Sequence, residues 1–535
     1  MPEADMPRDQ EPKTRRIVER WIVEGTLELV TPTHLGNGDT DPSIDLPLVT
    51  DAYDGRATLS GSSLAGALRH YLNEQLDGYE PHYDPHTDRA SHREKRSGRN
   101  GPGSPAALLF GEPPGFDLRR QERENQDGQQ SRLLVGDALG GEDRPRIEVR
   151  HGVRIDPRTR TAAEKALFDL QLLAAGSTFG LRMELLVADG ADSRQLRDLL
   201  AIALSGLQNG EIPLGARKGR GLGECRVTGW RVWHFDLATK EGLKGWLAHG
   251  RQGADWRPYQ LDPQAGSDIG ILLAADPTEL THIHAGRERF TITAQFEVAG
   301  SLLVRSGFEE KGPDVIHMGG AARPVLPGTS LAGVMRGQAL RIARTLAANP
   351  ALAGTLIDDL FGIMPEGNPA GRRAGRVRVR ERRIADSRAL VQSRVKIDRF
   401  TGGASETALF EEQPAFGGRV EIVWVARRML PAQDEENPEQ QAAADRRFRA
   451  EIGLLLLTLK DLWTGFLPVG GEASVGRGRL RGLGATLRHT GAGEPREWML
   501  TSITDDPAQV VVDGPEGLND YVATLGDYLR QGEQT

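Results

Sequence analysis

Five aspartates, Asp39, Asp41, Asp45, Asp51 and Asp54, crowd one Gly/Asp/Pro-containing loop, Thr31–Leu59. A sixth, Asp314, stands in PDVIHM with His317 close behind. Aspartate favours turns through local hydrogen bonds, which accounts for most of these positions. A loop carboxylate beside RNA can also help deprotonate a 2′-hydroxyl or hold a divalent ion at the scissile phosphate. Two Gly-rich stretches carry the opposite charge. IPLGARKGRGLGECRV, from Ile212, places Arg217, Lys218 and Arg220 among glycines. LPVGGEASVGRGRLRG, from Leu467, places Arg477 and Arg479 similarly. Glycine lets backbone N–H groups approach a phosphate and arginine neutralises it. No G-K-[ST] follows, so neither is a nucleotide-binding P-loop, and a hairpin with solvated charges is the alternative. His82, His86 and His92 lie in the polar insertion Gly78–Pro105 without a period that gathers them, and a solvated loop is expected there.

The chain of 535 residues has a formal net charge of −8, so polyanion binding needs local basic strips. Arg372–Arg399 holds eleven Arg/Lys against three Asp/Glu, and Arg144–Lys165 holds seven against three. Aromatic residues are sparse in both strips, which argues against wide base-stacking platforms. The one cysteine, Cys225, excludes a disulfide framework and a thiolate metal site within the chain. The polar first sixteen residues lack a signal-peptide core, and the longest apolar stretch, Ile452–Leu459, is too short to span a bilayer. A cytoplasmic protein without membrane partners is expected.

These residues need elements to hold them, and the elements come twice. SGSSLAGALR from Ser60 returns as PGTSLAGVMR from Pro327. Each is expected to be a Gly turn entering a helix, with Ser62 and Thr329 as N-caps. Leu64, Leu68, Leu72 and Leu76 mark one apolar stripe, and Leu331, Met335, Ala339, Ile342 and Leu346 the other. LFG, [RK]-I-D…A-L-F-[DE] and the Gly/Arg loop follow in the same order in each half. This is a duplicated unit of strands and helices without regular βα alternation, expected as an α+β fold with helices on one face of an antiparallel sheet. The expected domains are 17–235 and 286–490. They are flanked by a disordered arm 1–16, a linker 236–285 and an extension 491–535. Strands are expected at Ile17–Leu29 and Phe290–Val298, helices at Ser193–Leu207 and Ala450–Leu462, and a surface loop at Gln433–Ala444.

With I-D-x-P ahead of G-S-S-L-x-G-x-x-R, IDRFTGGASETALFEE and the paired Gly-rich loops, the chain resembles the repeat-associated mysterious protein (RAMP) superfamily of CRISPR effectors. It is most similar to two fused copies of the type III backbone subunit, as in a type III-D-like variant. The resemblance implies two tandem ferredoxin-like (RNA-recognition-motif-like) domains, each with a β-hairpin thumb, here Arg154–Phe179 and Lys396–Phe416. It implies a ribonucleoprotein in antiviral defence whose partners are a CRISPR guide RNA, a target RNA, a large polymerase-like subunit and further RAMP subunits. It implies an endoribonuclease that cuts target RNA at thumb-induced kinks by 2′-hydroxyl attack, with magnesium as the expected cofactor. Asp45 falls at the family's catalytic position and is the expected metal ligand. Asp314 is its counterpart, in a stretch two residues shorter and without the I-D-x-P form. Expected RNA contacts are Ser62, Ser63, Arg69, Arg154, Arg217, Lys218 and Arg220 in the first half. In the second they are Thr329, Ser330, Arg336, Lys396, Arg399, Arg477 and Arg479. The alternatives are an inactive guide-binding scaffold, or a guide-processing nuclease using His34 and His317.

Overall fold

The computed structural model describes residues 15–36, 44–77, 105–111, 116–117, 122–123, 129–142, 144–156, 159, 161–278, 288–305, 312–319, 323–363, 373–429, 438–491, 493–503 and 509–530. The first half runs β1 (Ile17–Leu29), α1 (Gly61–Asp77), β2 (Leu133–Val135), β3 (Ile147–Ile155), β4 (Ala162–Leu173), β5 (Thr178–Ala188), α2 (Ser193–Gln208), β6 (Cys225–Asp236), α3 (Lys240–Ala248) and β7 (Gln264–Gly266). The second runs β8 (Arg289–Ala299), α4 (Gly328–Leu346), β9 (Val377–Val379), β10 (Gln392–Ile397), β11 (Ala404–Gln413), β12 (Arg419–Arg427), α5 (Pro438–Trp463), β13 (Arg479–Thr490), β14 (Arg496–Ser502), β15 (Val510–Asp513) and α6 (Leu518–Arg530).

Each half is built on an antiparallel sheet. The orders are β7-β6-β1-β5-β2 and β9-β12-β8-β13-β14-β15. Stripped of late additions, both contain one four-strand unit, β2-β5-β1-β6 and β9-β12-β8-β13. The pattern follows from alternation. Phe290, Ile292, Ala294, Phe296 and Val298 of β8 are buried and the residues between them are not, so one face meets helices. Leu64, Leu68 and Leu72 of α1 and Leu196, Leu199, Leu200, Leu204 and Leu207 of α2 close the first core. Leu331 and Met335 of α4 and Phe448, Ile452, Leu455, Leu459 and Leu462 of α5 close the second.

Several expectations change. The helix caps are not Ser62 and Thr329. Ser60 Oγ accepts the Ser63 N–H at 3.3 Å, and α4 follows Pro327, whose ring offers no hydrogen-bonding atom for a cap. Residues 240–273 are not a bare linker: β7 extends the first sheet, and Ile269, Leu272 and Leu273 join its core. Nor is the stretch after Thr490 separate, because β14 and β15 extend the second sheet and Trp498 and Tyr521 are fully buried. Helix α5 starts at Pro438, inside the expected surface loop. The arm 1–14, the insertion 78–104 with its three histidines, and 531–535 lie outside the described residues.

Candidate functional site

Two long hairpins stand off the sheets, β3–β4 and β10–β11. Their pairings show that the halves match residue for residue. Val153 faces Leu167 as Val395 faces Leu409, and each first strand has an irregularity just beyond, at Val153/Ile155 and Val395/Ile397. The hairpins span Ile147–Leu173 and Gln392–Gln413, starting before the expected Arg154 and Lys396 and ending before Phe179 and Phe416. The aspartates of VRID and VKID serve the tips. Asp156 and Asp398 accept main-chain N–H groups of Thr159 and of Phe400 and Thr401. Hydrogen bonds from Thr401 and Phe400 hold the Asp398 carboxyl below its ordinary range. Apolar side chains stay in solvent here: Leu167 is 70% exposed, Leu409 68% and Phe400 98%.

Asp45 and Asp314 meet these hairpins in the same way. Asp45 Oδ2 accepts the Asp169 N–H at 2.9 Å, and Asp314 Oδ2 accepts the Glu411 N–H at 2.8 Å. The next residues then pair in parallel, Leu46 with Leu170 and Val315 with Glu412. Both aspartates are exposed, so each is anchored through one oxygen. Asp169 and Glu411 close the two A-L-F-[DE] motifs. That repeated acid was visible in the sequence without any assigned chemistry. The shorter approach to Asp314 does not displace it. Among the described residues, no group of three or more His, Cys, Asp or Glu is arranged to hold a metal. A cation at Asp45 would take its other ligands from RNA, so the residues present do not by themselves define such a site.

His34 and His317 are buried structural groups. The His317 ring accepts the Val304 N–H through Nδ1 at 3.1 Å, and its Nε2 lies 2.8 Å from the Val325 carbonyl. Burial pushes its pKa down, and both ring nitrogens are taken up by main-chain groups inside the core. His34 is buried too, with Nδ1 2.9 Å from the Gln171 carbonyl. Burial pushes the Cys225 thiol up to about 12, which makes it inert at neutral pH.

The Gly-rich loops superpose in register. Arg217 (φ 58°), Gly221 (85°) and Gly223 (81°) match Glu472 (61°), Gly476 (90°) and Gly478 (79°). Arg477 therefore matches Leu222, not Arg220. Arg477 is 3% exposed and bonds Glu412 at 3.0 Å, Glu472 at 3.3 Å and Gln392 at 2.7 Å. Lys218 and Arg220, in contrast, reach solvent. Among the described residues neither has a carboxylate at ion-pair distance. Burial of the loop lowers the pKa of both, and Arg378 beside Lys218 and Arg336 beside Arg220 add to it. Arg217 lies over the Phe168 ring at 4.2 Å and is half-buried.

This cationic loop sits where the halves join. A Cβ on Gly221 would fall 2.2 Å from the Glu381 nitrogen, and one on Gly328 would fall 2.4 Å from the Arg220 carbonyl oxygen. Arg150 bonds Glu381 twice, at 2.6 and 3.0 Å, Arg380 and Arg382 bond Glu224 at 3.2 and 3.4 Å, and Arg427 pairs with Glu74. Much of the Arg372–Arg399 strip is thus consumed internally, and Arg376 is buried against Glu451. Lys396, Arg399 and Arg479 remain exposed. Ser62 and Ser63 are exposed in the first turn of α1, with Arg69 half-buried further along. Thr329 and Ser330 are half-buried at the start of α4, and Arg336 is tied to the Gly362 carbonyl and to Asp358. The backbone of Arg154 lies in β3.

The chain matches the family model of the RAMP superfamily over residues 26–226 and again over 295–481. No curated protein matches it.

Proposed function

Since the chain belongs to the RAMP superfamily through both of its halves, we propose that it is a fused pair of ferredoxin-like backbone domains of a type III CRISPR effector, binding guide RNA and cutting the paired target. The observation that carries this is the repeated clamp, an exposed carboxylate held by the A-L-F-[DE] amide at the foot of a projecting hairpin, at Asp45 and at Asp314. Lys218 and Arg220 at the junction have no carboxylate at ion-pair distance among the described residues, and a phosphate backbone supplies the anion they can take. The hairpins are the thumbs. Their exposed apolar pairs, Val153/Leu167 and Val395/Leu409, would wedge between bases and open the duplex. A strand freed from A-form stacking can turn its 2′-oxygen into line with the P–O5′ bond. Asp45 or Asp314 then accepts the 2′-proton through its exposed oxygen, leaving a 2′,3′-cyclic phosphate and a 5′-hydroxyl. No step here is routed through a metal, and magnesium dependence is measured in the same assay.

The test assembles the chain with guide RNA and its partner subunits and maps cuts on a complementary target. Asp45→Ala abolishes one cut and Asp314→Ala a different one, while guide RNA stays bound. Unchanged cutting in both variants removes the aspartates from the chemistry and leaves the chain a guide-binding scaffold.

A further inference from the structure

The two clamps share a backbone but not their neighbours. On β3 and β4 the residues Val149, His151, Val153, Leu167, Asp169 and Gln171 face one side of the hairpin, in the pairs Val149/Gln171, His151/Asp169 and Val153/Leu167. The Asp169 N–H goes to Asp45 and its C=O accepts the Leu46 N–H at 3.2 Å. Both main-chain groups of Asp169 are therefore turned away from β3. Its pairing with His151 is of the non-hydrogen-bonded kind, in which cross-strand side chains come closest. His151 Nδ1 lies 2.5 Å from Asp169 Oδ1, and both side chains are partly in solvent. In the second half the same rung holds Ser393, whose Oγ donates to Glu411 Oε1 at 3.1 Å.

We propose that His151 is the proton donor to the leaving oxygen at the first site, and that the second site works without one. This rests on the cleavage reading above. The exposed Val153/Leu167 pair lies one rung beyond His151/Asp169, so a strand opened there lays its backbone across that rung. Asp45 and His151 flank β4 on opposite sides and both reach Asp169, Asp45 through its N–H and His151 through its carboxylate. A phosphate laid over that residue meets a proton acceptor on one side and a donor on the other. The O2′–P bond forms and the P–O5′ bond breaks. The 2′-proton passes to Asp45, and the protonated His151 ring, oriented by Asp169, gives its proton to O5′. Solvent then returns both groups to their starting states. The charged groups around the imidazole are Asp169 across the hairpin, Asp45 from the loop strand, and Arg217 over Phe168 on the other face. Ser393 offers no ionisable proton, so the second leaving group draws on water.

The experiment follows both cuts separately in the assembled complex from about pH 5.5 to about pH 8, the range in which imidazole changes charge. The first cut slows relative to the second as pH rises. His151→Ser, which copies the second site, lowers the first cut about a hundredfold, removes that relative pH trend, and leaves the second cut unchanged. Ser393→His gives the second cut the trend. If His151→Ser slows the first cut but keeps its pH trend, His151 only braces the hairpin and the proposal is overturned. It is overturned equally if that variant cuts normally while Asp45→Ala still abolishes the first cut. If Asp45→Ala itself has no effect, the cleavage reading is what fails.

Discussion

Beneath the first hairpin two buried positions are leucines, beside the Arg150–Glu381 ion pair; beneath the second the same two positions are charged. Leu170, Leu172 and Leu222 form a small buried cluster under β3–β4, with Leu46 and Phe168 against it. At the matching positions under β10–β11 stand Glu412 for Leu170 and Arg477 for Leu222. His317 likewise replaces the buried Leu48. Glu412 and Glu472 are bonded by Arg394 at 3.4 and 2.9 Å, in addition to Arg477. Burial, then the nearby Glu472, pushes the Glu412 carboxyl up. The glycine torsions, hairpin register and aspartate clamp are unchanged. The backbone frame is thus set by turn chemistry and strand pairing, and the filling beneath it is free to drift between grease and ion pairs.

That contrast is strongest at Arg477. Arg477→Leu alone leaves the buried Glu412 to share Arg394 with Glu472 and costs about 3 kcal/mol in denaturant unfolding. Adding Glu412→Leu recreates the first half's leucine pair and recovers most of the loss. A double variant as unstable as the single one would show that the two fillings are not interchangeable. Next is the loop contrast. Lys218→Glu with Arg220→Glu lowers guide RNA retention and reduces its log–log salt slope by about 1.4, two phosphate contacts on a single strand. The matched Ala473→Glu with Val475→Glu has a much smaller effect if the second loop does not meet RNA backbone. Equal effects would erase the distinction. The smallest effect concerns pH. The folded pKa of His317 is lowered by burial, so below the unfolded value, about 6.5, the unfolded chain binds the extra proton and stability falls with pH. His317→Leu, copying Leu48, removes that acid loss below about pH 6.5. An unchanged acid slope would place its origin elsewhere.

The duplication, both first strands, α2 and the two repeated helices, though not their caps, were legible because period and repetition are local signals. Ile17–Leu29 is a strand over its whole expected length, and Ser193–Gln208 exceeds the expected helix by one residue. Asp45 could be singled out among five loop aspartates only through the family resemblance, not by its own chemistry. What was hidden depends on distant partners. Arg477 looks like any loop arginine until Glu412 is placed beneath it. His151 sits in a charged strip, and only strand register reveals Asp169 across from it. The Arg372–Arg399 strip suggested a polyanion track because sequence shows charge but not the carboxylates that meet it. Trp498 and Tyr521 gave no signal of belonging to the second core, since β14, β15 and α6 follow the repeat's last landmark.

The near-touching main chains at Gly221 and Gly328 carry one more consequence. Since backbone meets backbone there, main chain limits how closely the two clamps approach, with the ion pairs of the junction around it. The pitch from Asp45 to Asp314 is therefore a property of the seam and not of the tether between the halves. Inserting residues into the tether would leave the interval between the two scissions as it was, whereas one methyl group at position 221 would force the halves apart and shift it.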